Sequence, residues 1–268
     1  MIPSFHRPAT VTEALRLKAS LGPGAMYLAG GTEVNNLRTP RPEALIDLTG
    51  LGLEAIEVTT EGCRIGARVT VQRLLEHPGI PGFLKVAARQ LANRNIRNQA
   101  TIGGHLGARR SCGDLIPALL AAEARVTLAD REVPVEEVLA GAPDLMLSVL
   151  VPATDRSFGL AHQGRTASDV SIVTAAASLA LDGGQVRRPL LAVGGVAPRV
   201  VRLREVEQAL EGRPMPPVEA LEALVAHAVN PIDDHRGSAA FKRHLAAVLA
   251  ARSLRTAARD RSSPEGAC

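Results

Sequence analysis

The segment RNIRNQATIGGHLGARRSCGDLIPALLAAEARVTL, residues 94–128, holds the densest set of local structural signals in the chain. Gly103 and Gly104 follow Thr101 closely, and paired glycines are typical of a turn. The apolar residues of LIPALLAA predict a helix at about 114–122. The alternating run ARVTLADREVPV then predicts a β-hairpin. A glycine turn, a helix and a hairpin are therefore expected in succession.

A second Gly-Gly pair lies in YLAGGTEVNNL, residues 27–37, directly after a short apolar run that predicts a buried strand. Because glycine has no Cβ, successive backbone N–H groups can converge on an anion, and the neighbouring threonine adds a hydroxyl donor. Neither pair has the lysine of GxxxxGK(S/T) or the spacing of GxGxxG, so a nicotinamide or ATP site is not indicated. Each pair alone is more often a plain turn, but the two together favour a shared ligand that contains a diphosphate.

The composition indicates a folded protein, because 46% of the 268 residues are hydrophobic and 22% are charged, without a block of like charge. The 31 lysines and arginines are interleaved with 27 aspartates and glutamates, so the formal net charge of +4 indicates a mildly basic, solvated surface. Aromatic residues make up only 2%, which leaves few rings to stack on bases. A nucleic-acid binder is therefore the least favoured class.

The three cysteines, Cys63, Cys112 and Cys268, are far apart in the sequence and include no CxxC pair. They indicate neither a disulfide framework nor a cysteine-ligated metal cluster, and no metal site is predicted. The N-terminal residues lack the apolar core of a signal peptide, and no stretch of about 18 apolar residues is present. We therefore expect a cytoplasmic protein without a membrane span.

The rest of the pattern mixes helices and strands irregularly, which favours the α+β class over a simple doubly wound sheet. A helix at 10–20 followed by two short strands predicts a β-α-β opening, and the residues at 54–69 alternate as in a hairpin. One longer helix is expected in PGFLKVAARQLANRNIRN, residues 81–98. After a turn-rich connector at 152–159, a hairpin and successive helices predict a smaller C-terminal α+β domain.

Several segments together resemble one known family. They are FHRPATVTEAL, AGGTEV, the TIGG string of residues 94–128, GRTASDVSIVTAAASLAL, AVGGVAPRVVRLREVEQALEG and DDHRGSAAFKRHLAAVLAARSL. All are similar to the FAD-binding medium subunit of the molybdenum hydroxylases, a family related to carbon monoxide dehydrogenase and xanthine dehydrogenase. The similarity spans nearly the whole chain.

The resemblance implies an α+β fold in which a two-subdomain FAD-binding part, like that of vanillyl-alcohol oxidase or PCMH, precedes a smaller α+β domain. We expect the FAD-binding domain at 1–155, with subdomains of roughly 1–52 and 53–155. A C-terminal domain like that of the carbon monoxide dehydrogenase flavoprotein is expected at 156–258. The polar tail at 259–268 is predicted to be disordered.

The resemblance also implies FAD as the cofactor, with its pyrophosphate held by the backbone of both glycine loops. The implied cofactor-binding residues are Tyr27, Leu28, Ala29, Gly30, Gly31, Thr32, Glu33, Val34, Thr101, Gly103, Gly104, His105, Asp114, Met146 and Leu147. Dense backbone donors suit a diphosphate without the help of a lysine. Asp114 would accept a hydrogen bond from a ribityl or ribose hydroxyl, and capping of the helix that follows is an equally open role. No side chain is nominated as a catalytic acid or base.

By the same resemblance, the chain is an oxidoreductase subunit that passes electrons. Substrate would be oxidised at a molybdopterin centre on one partner subunit, and electrons would reach FAD through two iron-sulfur clusters on another. FAD would then reduce a terminal acceptor. Two alternatives stay open: a free-standing or recruited flavoprotein of the same fold, and a scaffold that has lost FAD.

The chain departs from the family pattern at two positions. His105 follows the TIGG string where the family usually has asparagine, and its imidazole is expected to titrate near neutrality. Ala161 stands four residues before Arg165, where the family commonly has a lysine. If that lysine tunes the flavin, either its charge is lost here or the neighbouring His162 replaces it. Two interpretations of Cys112, beside the TIGG string, stay open: a reactive thiol close to the isoalloxazine, and a buried, unreactive cysteine, which is the favoured one.

Overall fold

The computed structural model describes residues 4–37, 41–141 and 144–259. The predicted disordered tail therefore lies, from residue 260 onward, outside the described residues. The chain forms two compact units, which we call the first unit and the second unit. The first takes Met1–Gly79, Asn93–Ala108 and Arg125–Val151, and the second takes Ile80–Ala92, Arg109–Ala124 and Pro152–Cys268. The expected domain boundary near residue 155 stays a prediction.

The first unit begins with the expected β-α-β arrangement. Its three-stranded parallel sheet has the order β1-β3-β2, with β1 at Ser4–His6, β2 at Ala25–Leu28 and β3 at Ala44–Asp47. Helix α1, Val11–Leu21, starts after Thr10, whose side chain accepts a hydrogen bond from the Glu13 N–H at 3.2 Å. Ala14 of α1 is fully buried and packs with Ile46 in the same apolar cluster, which fixes the helix on the sheet.

The remaining strands of the first unit form a five-stranded sheet in the order β4-β5-β8-β6-β7. The strands are β4 Ile56–Thr59, β5 Gly62–Gly66, β6 Arg125–Thr127, β7 Glu132–Pro134 and β8 Ser148–Pro152. The pairs β4/β5 and β6/β7 are antiparallel, so both predicted hairpins are confirmed. The helices of this unit are α2 Val71–Glu76, α4 Arg94–Arg97, α5 Ile102–Ala108 and α7 Val135–Ala140.

Two local predictions are wrong. The single helix expected at 81–98 is instead two helices, α3 at Gly82–Gln90 and α4, because Ala92 takes a left-handed backbone conformation and Asn93 caps α4 by accepting from the Ile96 N–H at 3.1 Å. The second glycine pair does not form a free turn. It lies in the first turn of α5, where the Thr101 hydroxyl accepts from the Gly104 N–H at 3.1 Å and acts as a helix cap.

The second unit is built on an antiparallel sheet in the order β12-β11-β10-β9. Its elements after α3 are α6 Ile116–Ala121, β9 Ser157–Gln163, β10 Val173–Asp182, β11 Gln185–Gly194, β12 Val201–Arg202, α8 Arg204–Leu210, α9 Val218–Ala228 and α10 Ala239–Arg259. The predicted hairpin between β10 and β11 is confirmed, and its turn contains Gly183 and Gly184, both with positive φ. The predicted succession of C-terminal helices is also confirmed.

The two faces of this sheet are covered by different helices. Ala161 of β9 and Ala175 of β10 belong to the buried cluster that also contains Leu254 of α10, so these side chains face α10. On the opposite face, Phe158 of β9 stacks on Phe83 of α3 with ring centroids 3.8 Å apart. The alternation of side chains along β9 therefore separates a face toward α10 from a face toward α3.

Candidate functional site

The first glycine loop has backbone donors that the fold leaves unused. Gly31 has a φ of 74°, and its carbonyl accepts from the Asn35 N–H at 3.0 Å. A single 3-10 turn, Val34–Asn36, follows. Within the described part of the chain, the N–H groups of Gly30, Gly31 and Thr32 donate to no acceptor. These residues are all partly exposed. The loop can therefore offer several adjacent N–H groups to an anion.

The two glycine loops meet within the first unit. A Cβ placed on Gly30 would overlap the carbonyl oxygen of Gln99, two residues before Thr101. A Cβ on Gly104 would lie 4.0 Å from the Cβ of Ala29. The fold therefore brings the AGGT loop against the TIGG segment, and only glycine fits at position 30 without moving the chain.

The N–H groups of the second loop are already used inside the protein. Gly103 donates to the Ala67 carbonyl at 2.9 Å, and His105 donates to the Thr101 carbonyl at 2.9 Å. Gly104 donates to the Thr101 hydroxyl. The two loops therefore differ in what they provide: the first offers N–H donors, and the second forms a fixed wall beside them.

Tyr27 enters the first loop with a buried phenol. Its hydroxyl oxygen is inaccessible to solvent and has no hydrogen-bond partner among the residues that the structure describes. Burial, together with the nearby Asp144 carboxylate, raises the pKa of Tyr27 to about 12. The phenol is therefore protonated at neutral pH, and it can donate one hydrogen bond that the fold itself does not take up.

Met146 and Leu147 lie beside the same loops. Leu147 packs against the apolar cluster that also contacts Tyr27 and Ala29. Met146 is buried, and its Cε would lie 3.3 Å from a Cβ placed on Gly107 of α5. Both residues thus contribute apolar surface close to the glycine loops.

His105 is neutral at physiological pH. The side chain is half-buried, and burial lowers its pKa to about 4. The expectation that it titrates near neutrality is therefore wrong, because the surroundings disfavour the charged imidazolium. A neutral imidazole has one N–H donor and one acceptor nitrogen, as an asparagine amide has both kinds of group.

Asp114 belongs to the second unit and is not a helix cap. The residue before the first turn of α6 is Leu115, and no side chain caps that helix, so the capping interpretation is wrong. Asp114 is only 5% exposed, and its Oδ1 accepts a hydrogen bond from the Ser171 hydroxyl at 2.5 Å. Burial raises its pKa to about 6, against the opposing effect of the Ser171 hydrogen bond.

Asp114→Asn is expected to flatten the pH dependence of stability. Because the carboxyl has a pKa of about 6 in the fold and 3.8 when unperturbed, the folded protein binds more protons between these values. The free energy of unfolding therefore falls as pH rises from about 4 to 6, by roughly 1–3 kcal/mol. Asparagine still accepts from Ser171 but does not titrate. Urea unfolding between about pH 4 and 7 measures the change, and equal pH slopes in the two proteins would contradict it.

Ala161, which stands where the family commonly has a lysine, and its neighbour His162 point to opposite faces of the second unit's sheet. Ala161 is 6% exposed and lies in the core under α10, whereas the neighbouring His162 is half-buried and points to the opposite face of the sheet.

Cys112 is buried, and burial raises the pKa of its thiol, which agrees with its interpretation as an unreactive cysteine.

Sequence reasoning missed three residues that shape these features. Gln99 supplies the carbonyl against which Gly30 packs, Ala67 lies against Gly103, and Ser171 is the hydrogen-bond partner of Asp114. Ser171 is 57 residues away from Asp114 along the chain. No local pattern links such pairs, so only the fold identifies them.

Comparison with known proteins gives a family for the whole chain. Residues 2–154 match the FAD binding domain in molybdopterin dehydrogenase, and residues 156–257 match the CO dehydrogenase flavoprotein C-terminal domain. The chain belongs to this family of FAD-binding dehydrogenase subunits. Its cofactor is FAD, and it is an oxidoreductase subunit. The expected α+β FAD-binding fold followed by a C-terminal domain is confirmed.

Relatives of this FAD-binding subunit cover nearly all of it. The carbon monoxide dehydrogenase medium chain of Hydrogenophaga pseudoflava is 30% identical over 96% of this chain and 98% of its own length. The uncharacterized protein YgfM of Escherichia coli K12 is 34% identical over 94% of this chain and 95% of its own. Among solved structures, carbon monoxide dehydrogenase from Hydrogenophaga pseudoflava, lacking the Mo-pyranopterin moiety, matches with a TM-score of 0.89 and 29% identity over 96% and 98% of the two chains.

Proposed function

We propose that this chain is the electron-transfer subunit of a molybdenum hydroxylase-type dehydrogenase, in which FAD receives electrons from a partner and passes them to an acceptor. The observation that carries the proposal is the first glycine loop, with its unused N–H groups at Gly30, Gly31 and Thr32. A diphosphate is the part of FAD that such a donor set fits. Because the loop is partly exposed and its unused N–H groups are adjacent, the residues present suit the cofactor.

The proposed cofactor contacts divide by chemistry. The first loop, Tyr27 to Val34, would hold the diphosphate by its N–H groups. The TIGG segment from Thr101 to His105 would form the wall behind it. Met146 and Leu147 would exclude water, and Asp114 would accept from a sugar or ribityl hydroxyl. Bound FAD supplies the redox chemistry, which the protein's own side chains cannot provide.

The partners follow from the same proposal. The relative from Hydrogenophaga pseudoflava is a medium chain, and such a chain implies other subunits beside it. No group of three or more histidine, cysteine, aspartate or glutamate side chains in the described part of this chain could hold a metal ion. We therefore assign the iron-sulfur clusters and the molybdopterin to two separate partner subunits. No helix among the described residues is long and apolar enough to cross a membrane, and a cytoplasmic location stays a prediction.

A purification of the chain alone and with its neighbouring gene products tests the proposal. We expect the isolated chain to be yellow, with flavin absorption near 370 and 450 nm, because FAD binds to this subunit without the partners. The flavin should be reduced by substrate only when both partners are present. A colourless chain would refute FAD binding, whereas substrate-dependent turnover by the isolated chain would favour a free-standing flavoprotein.

A further inference from the structure

A titratable side chain outside the proposed cofactor contacts lies on the same sheet face as a buried hydroxyl. His162 of β9 is directly opposite Thr174 of β10 in the antiparallel register. Four residues before His162, Phe158 stacks on α3, and four residues after Thr174, Ser178 donates to the Ala121 carbonyl of α6 at 2.6 Å. Because side chains alternate along a strand, His162 and Thr174 both point to the face covered by α3 and α6.

Thr174 connects this face to the buried Asp114 carboxyl. Thr174 is fully buried, and its hydroxyl has no hydrogen-bond partner within the described segments of the chain. Asp114 lies at the start of this strand, because Ser171, three residues before Thr174, donates to the Asp114 Oδ1 at 2.5 Å. Thr174 also contributes to lowering the pKa of that carboxyl. Buried hydroxyls are nearly always satisfied, so an unsatisfied one calls for an explanation. Opposite residues of an antiparallel pair have Cβ atoms about 4.5–5.5 Å apart, so His162 is also a neighbour of this hydroxyl.

We infer that Asp114, Thr174 and His162 form a proton-exchange path from a buried carboxyl to the partly exposed imidazole. In one step, the O–H bond of protonated Asp114 breaks and its proton goes to the Thr174 oxygen. The original Thr174 proton passes to the imidazole nitrogen of His162, so the hydroxyl is unchanged and a carboxylate and an imidazolium result. The step moves no electrons. Its use rests on the proposed function, because reduction of FAD takes up protons as well as electrons.

Burial acts on the two end groups in opposite directions. It raises the pKa of Asp114 to about 6 and lowers the pKa of His162 below its ordinary value of 6.5. The buried carboxyl therefore holds its proton more tightly, and the imidazole holds its proton less tightly, than the free groups do. Of the two helices that cover this face, α3 carries the charged side chains Lys85 and Arg89, and α6 carries none. The Arg110 and Arg236 charges act on Cys112, two residues before Asp114. The shift at Asp114 arises mainly from burial, with hydrogen bonds opposing it, and not from these charges.

The first test uses the full chain without FAD, so its result does not depend on the proposed function. The ring proton signals of His162 are followed by NMR against pH in wild type, Asp114→Asn and Thr174→Val. Loss of the nearby carboxylate is expected to lower the midpoint of His162 by about 0.3 unit or more. His244, on the surface of α10, serves as the internal control and should keep its midpoint. An unchanged His162 midpoint in Asp114→Asn would overturn the path.

The second test measures proton uptake with an indicator dye when the FAD-loaded chain is photoreduced. Thr174→Val keeps the shape of the side chain but removes the hydroxyl, and it is expected to slow uptake at least about fivefold, as is His162→Phe. Thr174→Ser, which restores a hydroxyl, should recover the wild-type rate, and His244→Gln should not change it. Uptake at the wild-type rate in Thr174→Val would overturn the path. If wild type and every variant fail to bind FAD, that result counts against the proposed function. The NMR titration, which needs no FAD, then decides whether the proton path exists.

Discussion

Gly31→Val is expected to remove most of the bound FAD while leaving the fold intact. The φ of 74° at Gly31 costs an L-residue about 1–2 kcal/mol, and more when the side chain is β-branched. A valine there would turn the backbone toward negative φ, which redirects the N–H groups of Gly31 and Thr32. Each lost hydrogen bond to a phosphate is worth roughly 1.5–3 kcal/mol, so we expect FAD affinity to fall about 100-fold or more. Fluorescence titration of the apoprotein with FAD measures the loss.

Gly52→Val is the matched control for this experiment. Gly52 also has a positive φ, of 66°, and belongs to the same unit, but no atom lies within 4 Å of the position that an added Cβ would take. Both variants therefore carry similar backbone strain and should lose similar stability. Only Gly31→Val should lose FAD, because only Gly31 lies among the unused donors. Full flavin content in Gly31→Val would refute the loop as the diphosphate site, and equal loss in both variants would assign the effect to strain alone.

The features that could be predicted from sequence are those set by neighbouring residues. Hairpins follow from alternation around a turn, and the β-α-β opening follows from a capped helix followed by two short apolar strands. Thr10 and Thr70 cap the helices α1 and α2, which begin one residue later. The glycine pair at positions 30 and 31 was also recognisable, because paired glycine after a strand is a local signal. The resemblance to a known family then supplied the cofactor.

The features that could not be predicted depend on contacts between distant parts of the chain. The apolar spacing of 81–98 fits one helix, yet Ala92 breaks it because α3 packs in the second unit while α4 belongs to the first. The TIGG glycines look like a turn, but the Gly103 N–H donates to the distant Ala67 carbonyl. The Asp114 and Ser171 pair is equally nonlocal. In each case a tertiary partner, absent from the local pattern, decides the conformation.

The two glycine loops have different roles: the first provides N–H groups for the cofactor, and the second needs glycine for close packing. Both loops contain Gly-Gly beside threonine, but only the first leaves its N–H groups unused. Glycines in the second loop, and Gly30 where it touches that loop, are required by close packing. Substitutions at these positions should therefore act on the stability of the apoprotein, whereas substitution of Gly31 should act on the cofactor.

Gly30→Ala is expected to destabilise the protein even when FAD is absent. The new Cβ would overlap the Gln99 carbonyl oxygen, and its next neighbours are backbone atoms of Gln99 and Ala100. Gln99 cannot easily move, because the Ala100 N–H donates to the Ile96 carbonyl at 2.7 Å and the Ala100 carbonyl accepts from the Val71 N–H at 2.8 Å. The loops must separate instead, and the free energy of unfolding should fall by about 2–4 kcal/mol.

Urea unfolding of the apoprotein measures this change, with Gly82→Ala as the control. Gly82 begins α3 and has no atom within 4 Å of an added Cβ, so alanine there should be neutral or stabilise the helix by up to about 1 kcal/mol. The comparison removes the general effect of replacing glycine and leaves the contact with Gln99. If the Gly30→Ala apoprotein is as stable as wild type, the two loops do not pack as the structure shows. If it is destabilised but still takes up FAD when folded, the contact of the loops and the binding of the diphosphate are separate functions of neighbouring glycines.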